Sequence, residues 1–208
     1  MGIRYFSCYI VLIREKSKLF KKTFMKQRFH GLFHVKPGDK QMTGQFVPKK
    51  VFFTSGCGSH EDKLTSFEMA LRRASIECYN LVEVSSILPP KCQIISRSAG
   101  IKELFPGSVV FTVLSRLSSK EPSRRITASV GCAIPEKPET NWGYFTEYHT
   151  YDETKEEAGD YAEKIAENMF KSVWQKVPAK TMNITESAIV DADGLWTTVV
   201  AAAVFLME

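Results

Sequence analysis

No run of about 18 apolar residues occurs in this 208-residue chain, which excludes a transmembrane helix. Cysteine is sparse and unpaired. Cys8, Cys57, Cys78, Cys92 and Cys132 are odd in number and form no C-x-x-C pair, which reads as reduced thiols of a cytoplasmic protein. No repeat or low-complexity segment appears. A basic excess is also missing from most of the chain, although the net charge is +5. Residues 1–50 hold 12 Lys and Arg against 2 Asp and Glu. Of the chain's 28 basic and 23 acidic residues, that leaves 16 and 21 for positions 51–208. An acidic body argues against nucleic acid as a partner and steers cationic small molecules inward.

What is present divides at Met42. Residues 1–41 read as a basic extension. Tyr5 to Ile13 is apolar but too short to span a bilayer. The cations after it (Arg14, Lys16, Lys18, Lys21, Lys22) meet no small-residue cleavage site, so it makes a poor signal peptide. Phe6 stands where myristoylation needs Ser or Thr. His30 and His34 have helical spacing but no third ligand, so no metal site is expected. Met42 opens the word Met-Thr-Gly-Gln-Phe-Val-Pro, which reads as a natural start of translation. Residues 42–208 suit one domain with a sizeable core.

Within that domain, Lys49 to Ser55 reads as a strand ended by a turn at Gly56-Cys57-Gly58. Thr65 to Cys78 reads as a helix capped by Thr65 and Glu68, with Phe67, Leu71 and Ala74 inward. Strands follow at Asn80–Val84, Val109–Leu117, Ile126–Ala133 and Trp142–His149. A long helix is expected over Asp152–Gln175, acidic at its start, with Tyr161, Ile165, Met169 and Val173 inward. Met182–Val190 and Trp196–Met207 flank Asp191-Ala192-Asp193-Gly194, a hairpin signal. Val199–Leu206 is continuously apolar and should be a central strand covered on both faces. The sum is an α+β layered sandwich.

The chemistry is concentrated in Asn80-Leu81-Val82-Glu83-Val84-Ser85-Ser86-Ile87-Leu88-Pro89-Pro90. A serine after a strand and just before two prolines sits where pairing must stop. Strain at the bond before such a serine favours attack of its hydroxyl on the preceding carbonyl. The resulting ester eliminates to leave a pyruvoyl group on a new N-terminus. The bland reading is a polar strand end.

From Pro48 onward the sequence resembles the pyruvoyl-dependent arginine decarboxylases. The matching words are Phe52-Phe53-Thr54-Ser55-Gly56, Lys63-Leu64-Thr65-Ser66-Phe67-Glu68, Asn80 through Pro90, Pro106-Gly107-Ser108, Ile134-Pro135 and Gly143 through His149, with an apolar strand closing the chain. The resemblance implies an αββα-type sandwich that cuts itself between Ser85 and Ser86 and assembles as a homotrimer of cleaved protomers, with sites shared between them. It implies conversion of L-arginine to agmatine and CO2 through a Schiff base on a pyruvoyl group derived from Ser86, a step in polyamine biosynthesis. Ser85 becomes the new C-terminus and part of the substrate site.

The resemblance assigns three further roles. Asn80 lies an even number of strand positions before Ser86, and its amide would assist self-cleavage as an oxyanion donor. By residue type alone the better reading is a strand-start asparagine satisfying backbone groups. Glu147 would return the proton after decarboxylation, from a pocket walled by Phe145 and Tyr148. Alternation alone leaves open which face of its strand it takes. Glu68 stands where the family commonly has the aspartate that grips the substrate guanidinium. The extra methylene moves the charge by roughly one carbon–carbon bond, so the same chemistry on another amino acid stays open. So does an unprocessed trimeric binding homologue.

Overall fold

A computed structural model describes residues 46–207. The basic extension 1–41, the His30/His34 pair and Met42 lie outside the described residues. In chain order the elements are β1 (Lys50–His60), α1 (Lys63–Ala74), β2 (Asn80–Glu83), β3 (Ile87–Leu88), β4 (Gln93–Ile94), α2 (Arg97–Lys102), β5 (Val109–Ser119), β6 (Arg125–Ile134), β7 (Gly143–Tyr151), α3 (Lys155–Trp174), β8 (Lys180–Ile189) and β9 (Trp196–Leu206). They form two sheets, ordered β2-β5-β9-β1-β4 and β3-β7-β6-β8.

The apolar run of β9 does what its composition demands. It lies antiparallel between β1 and β5, and its alternate residues enter different cores. Val199, Ala201, Ala203 and Phe205 meet Val130, Cys132 and Phe145 of the second sheet. Val200, Ala202, Val204 and Leu206 pack with Ala70, Ala74 and Ile76 from α1 and the loop after it. On the far side, α3 covers the second sheet through Ala166 and Phe170. The layers are therefore helix, sheet, sheet, helix.

Four local readings are corrected. The strand β1 does not end at Ser55 but continues through Gly56 and Gly58 to His60. Those glycines serve close approach rather than a turn: a Cβ at Gly58 would lie 2.5 Å from Ala70 N, and one at Gly56 2.7 Å from Ala74 N. The cap of α1 is Asp62, whose carboxylate accepts from Thr65 N at 2.8 Å, while Glu68 turns instead to Arg72. Residues 191–194 do not close a hairpin. The strand β8 pairs with β6, and β9 with β1 and β5, so this loop carries the chain from one sheet to the other. Finally, α3 buries Ala158, Gly159, Ala162, Ala166 and Phe170. Tyr161 and Val173, expected inward, are 48% and 46% exposed.

The small face of α3 lets the helix sit close on β6 and β7. Thr146 Oγ1 donates to the Ala162 carbonyl at 2.7 Å. A Cβ on Gly131 would fall on that same carbonyl group and within 2.8 Å of Glu163 N. Backbone cannot yield as a side-chain tip does. Gly131→Ala should therefore lower stability by about 1–3 kcal/mol. The check is the urea midpoint, which should fall with an unchanged slope. No described helix is long and apolar enough to cross a membrane.

Candidate active site

The Ser85-Ser86 dipeptide is where the chain changes sheets. The strand β2 runs parallel to β5, and Val84 N continues that ladder by donating to Thr112 O at 3.0 Å. Two residues later the chain is in the other sheet, where β3 lies antiparallel to β7, with Ile87 opposite Tyr144. Phe145 N donates to the Ser86 carbonyl at 2.8 Å. Ser85 and Ser86 are thus held from both ends by different sheets. Between them the turn is tight: Ile87 N donates back to the Ser85 carbonyl at 3.1 Å, closing a γ-turn about Ser86. Ser86 is absent from the residues with positive φ, so this is the relaxed, inverse form. Expected backbone strain has no counterpart in a left-handed Ser86.

Ser85 is exposed and Ser86 half-buried. Among the described residues no hydrogen bond engages the Ser86 hydroxyl. Beside the turn lies an apolar cavity of about 260 Å³, lined by Phe46, Val84, Ser85, Ile87, Phe111 and Phe205 among others.

Glu147 reaches this region through β7. Phe145, whose N–H grips Ser86, is buried between the sheets. Two residues on, Glu147 shares that face by alternation, roughly 7 Å further along. Its carboxylate meets solvent at the rim. Partial burial, followed by the like charge of Glu83, raises its pKa above the ordinary carboxylate range. Glu83 was not singled out from the sequence. It sits inside the Asn80–Pro90 word, and only the fold shows that its charge acts on Glu147. Ser115 Oγ, from β5, donates to the Tyr148 carbonyl at 2.7 Å and ties the two sheets together next to Glu147.

Tyr148 does not wall this pocket. Its hydroxyl donates to Glu153 at 2.9 Å and its ring lies 4.7 Å from that of Tyr161, so it faces α3. His60 is likewise engaged locally, its Nδ1 accepting from Asp62 N at 2.9 Å. Burial pushes the Cys57 thiol up to about 11 and the Cys92 thiol up to about 12, which removes both as nucleophiles near neutrality. Among the described residues no three His, Cys, Asp or Glu side chains gather to hold a metal.

Two expected site residues stand apart from Ser86 within one chain. Asn80 lies at the far end of β2, roughly 13 Å along the strand from Val84. Its Nδ2 donates to the Gly107 carbonyl at 2.9 Å. Glu68 is on α1, which packs against the outer face of the first sheet, while the serines cross between the two sheets. Its carboxylate holds Arg72 at 2.8 and 2.9 Å.

Residues 50–208 match the family model described as pyruvoyl-dependent arginine decarboxylase. A pyruvoyl-dependent arginine decarboxylase of Methanocella arvoryzae is 61% identical over 161 residues, covering 77% of this chain and 97% of that protein. Pyruvoyl-dependent arginine decarboxylase 1 of Methanosarcina mazei is 51% identical over 166 residues, covering 80% and 100%. A probable pyruvoyl-dependent arginine decarboxylase of Chlorobaculum parvum is 48% identical over an aligned length of 180, covering 77% and 98%.

Proposed function

The chain belongs to the pyruvoyl-dependent arginine decarboxylase family, and on that footing we propose that it cuts itself between Ser85 and Ser86 and then converts L-arginine to agmatine and CO2, within polyamine biosynthesis. The observation that carries this reading is the sheet crossing itself. A serine whose hydroxyl has no hydrogen bond among the described residues follows a hydrogen-bonded carbonyl in a turn anchored on both sides, with a carboxyl of raised pKa on the adjoining strand. These residues fit a pyruvoyl group derived from Ser86, whose ketone would serve as the electron sink for decarboxylation.

The chain's own residues supply the rest. Glu147 keeps a proton to higher pH than an ordinary carboxyl and delivers it to the reacting substrate carbon. Phe145 fixes the Ser86 backbone through its N–H. Glu68 binds the substrate guanidinium. Its present partner Arg72 shows that two-oxygen capture of a guanidinium is open to it. An exposed i,i+4 pair is worth only about 0.3–0.5 kcal/mol, so a substrate displaces it readily.

Glu68 and Asn80 do not approach Ser86 within one chain, so both act across an interface, in a homotrimer with shared sites. Sedimentation at several concentrations should give the mass of three protomers. A stable, active monomer would remove this arrangement.

The substrate assignment is tested by incubating the purified protein with a panel of amino acids and measuring amine and CO2. Arginine should be turned over best. Glu68→Ala should raise KM about 10- to 150-fold, the equivalent of a lost charge-assisted contact of about 1.5–3 kcal/mol, and leave self-cleavage intact. Faster turnover of lysine, ornithine or histidine would reassign the substrate and keep the mechanism.

A further inference from the structure

We propose that the backbone N–H of Ile87 is an oxyanion donor for self-cleavage, built into the turn that is cut. This rests on the self-processing reading above and deepens it.

Cleavage begins when Ser86 Oγ adds to the Ser85 carbonyl carbon. A C–O bond forms and the carbonyl π pair moves onto the Ser85 oxygen. As the C–N bond then breaks, the hydroxyl proton passes to the departing Ser86 nitrogen and an ester remains. Elimination follows: the Ser86 Cα proton leaves, and Ser85 departs as a carboxylate. Water then replaces the nitrogen as ammonia to give the ketone. The first step needs a donor at the Ser85 oxygen, where charge develops.

That donor is already in place. Ile87 N lies 3.1 Å from Ser85 O, within hydrogen-bond range. It is also spare. The Ile87–Tyr144 pairing is of the kind whose ladder bonds run through the neighbouring residues, and the bond at this level comes from Phe145 N to Ser86 O. An edge-strand N–H that pairs with no strand turns back onto the scissile carbonyl instead. Asn80, the donor expected from the sequence, is occupied at Gly107 in its own chain. The Ile87 donor is the one that an isolated precursor already carries. It also explains why a relaxed turn would be reactive: the carbonyl is polarised rather than twisted.

The test removes the N–H and keeps the Ile87 side chain. The precursor is made with the α-hydroxy acid analogue of isoleucine at position 87, so that an ester oxygen replaces the nitrogen. Intact-mass spectra then follow cleavage with time. Cleavage between Ser85 and Ser86 should slow about 10²–10³-fold. Ile87→Ala keeps the N–H and should cleave within a few-fold of wild type. Hydrolysis of the introduced ester would cut after Ser86 and is distinguished by mass. Thermal unfolding of both variants reports whether the fold is kept. A folded ester variant that cleaves at the wild-type rate overturns the proposal, as does an Ile87→Ala protein impaired as badly as the ester. A wild-type protein that never cleaves would instead refute the self-processing reading, so the two failures are separable.

Discussion

Ser86→Ala should remain one intact chain, whereas the wild-type protein should separate into a chain ending at Ser85 and a pyruvoyl-led chain of residues 86–208. The expected contrast is all or none because the substitution deletes the nucleophile and spares what holds it. Among the described residues, the hydrogen bonds that fix the turn are made by backbone: Val84 N to Thr112 O, Phe145 N to Ser86 O, and Ile87 N to Ser85 O. None uses the Ser86 side chain. The variant should therefore fold with a thermal midpoint close to that of the uncleaved wild-type precursor. Denaturing mass spectrometry reads the cleavage, and a carbonyl-reactive probe reads the ketone. The probe should label only the 86–208 chain of wild type. A full-length wild-type protein inert to the probe would end the enzyme reading. A cleaved Ser86→Ala protein would move the nucleophile elsewhere.

The Asn80–Pro90 word, which points to the family, was legible because it is a contiguous stretch of chain. The sequence carried β9 as a central strand because nothing but burial on both faces suits eight consecutive apolar residues. Where it misled, local pattern admitted two solutions. On α3 the series 161, 165, 169, 173 and the series 158, 162, 166, 170 share one period. The choice fell to the small residues, because a helix resting on Gly131 has no room for Tyr161. Glycines at 56 and 58 look the same whether they turn a chain or admit a helix. Asp191 to Gly194 signals a turn but not which strand the chain then joins. The same limit applies to the site. Alternation could not place Glu147, and its companion Glu83 became visible only once the fold brought the charges of β2 and β7 into reach of each other.

Glu147→Gln should cleave normally yet lose about 10²–10⁴-fold in turnover, the usual worth of a positioned general acid. The two effects separate because cleavage needs the turn, whereas turnover needs a proton. An amide occupies the same space between Phe145 and the rim but has no comparable proton to give. The pH profile sharpens the assignment. Partial burial and the charge of Glu83 both disfavour the ionised form of Glu147, so its proton is held to higher pH than an ordinary carboxyl would hold it. Activity that depends on this acid is present at low pH and falls as pH rises through the raised pKa. Glu83→Gln removes one cause of the shift. Glu147 should then ionise earlier, and the high-pH limb of kcat should move toward acid, while Glu147→Gln should abolish that limb altogether. Tyr148 offers no substitute, because its hydroxyl is bound to Glu153 on the opposite face of β7. Tyr148→Phe should accordingly leave the limb where it stands. A Glu83→Gln enzyme with an unmoved limb would mean that the acid reported by the profile is not Glu147. A Glu147→Gln enzyme with near wild-type kcat would place the proton donor outside this chain's strand β7, either in a neighbouring protomer or in ordered water.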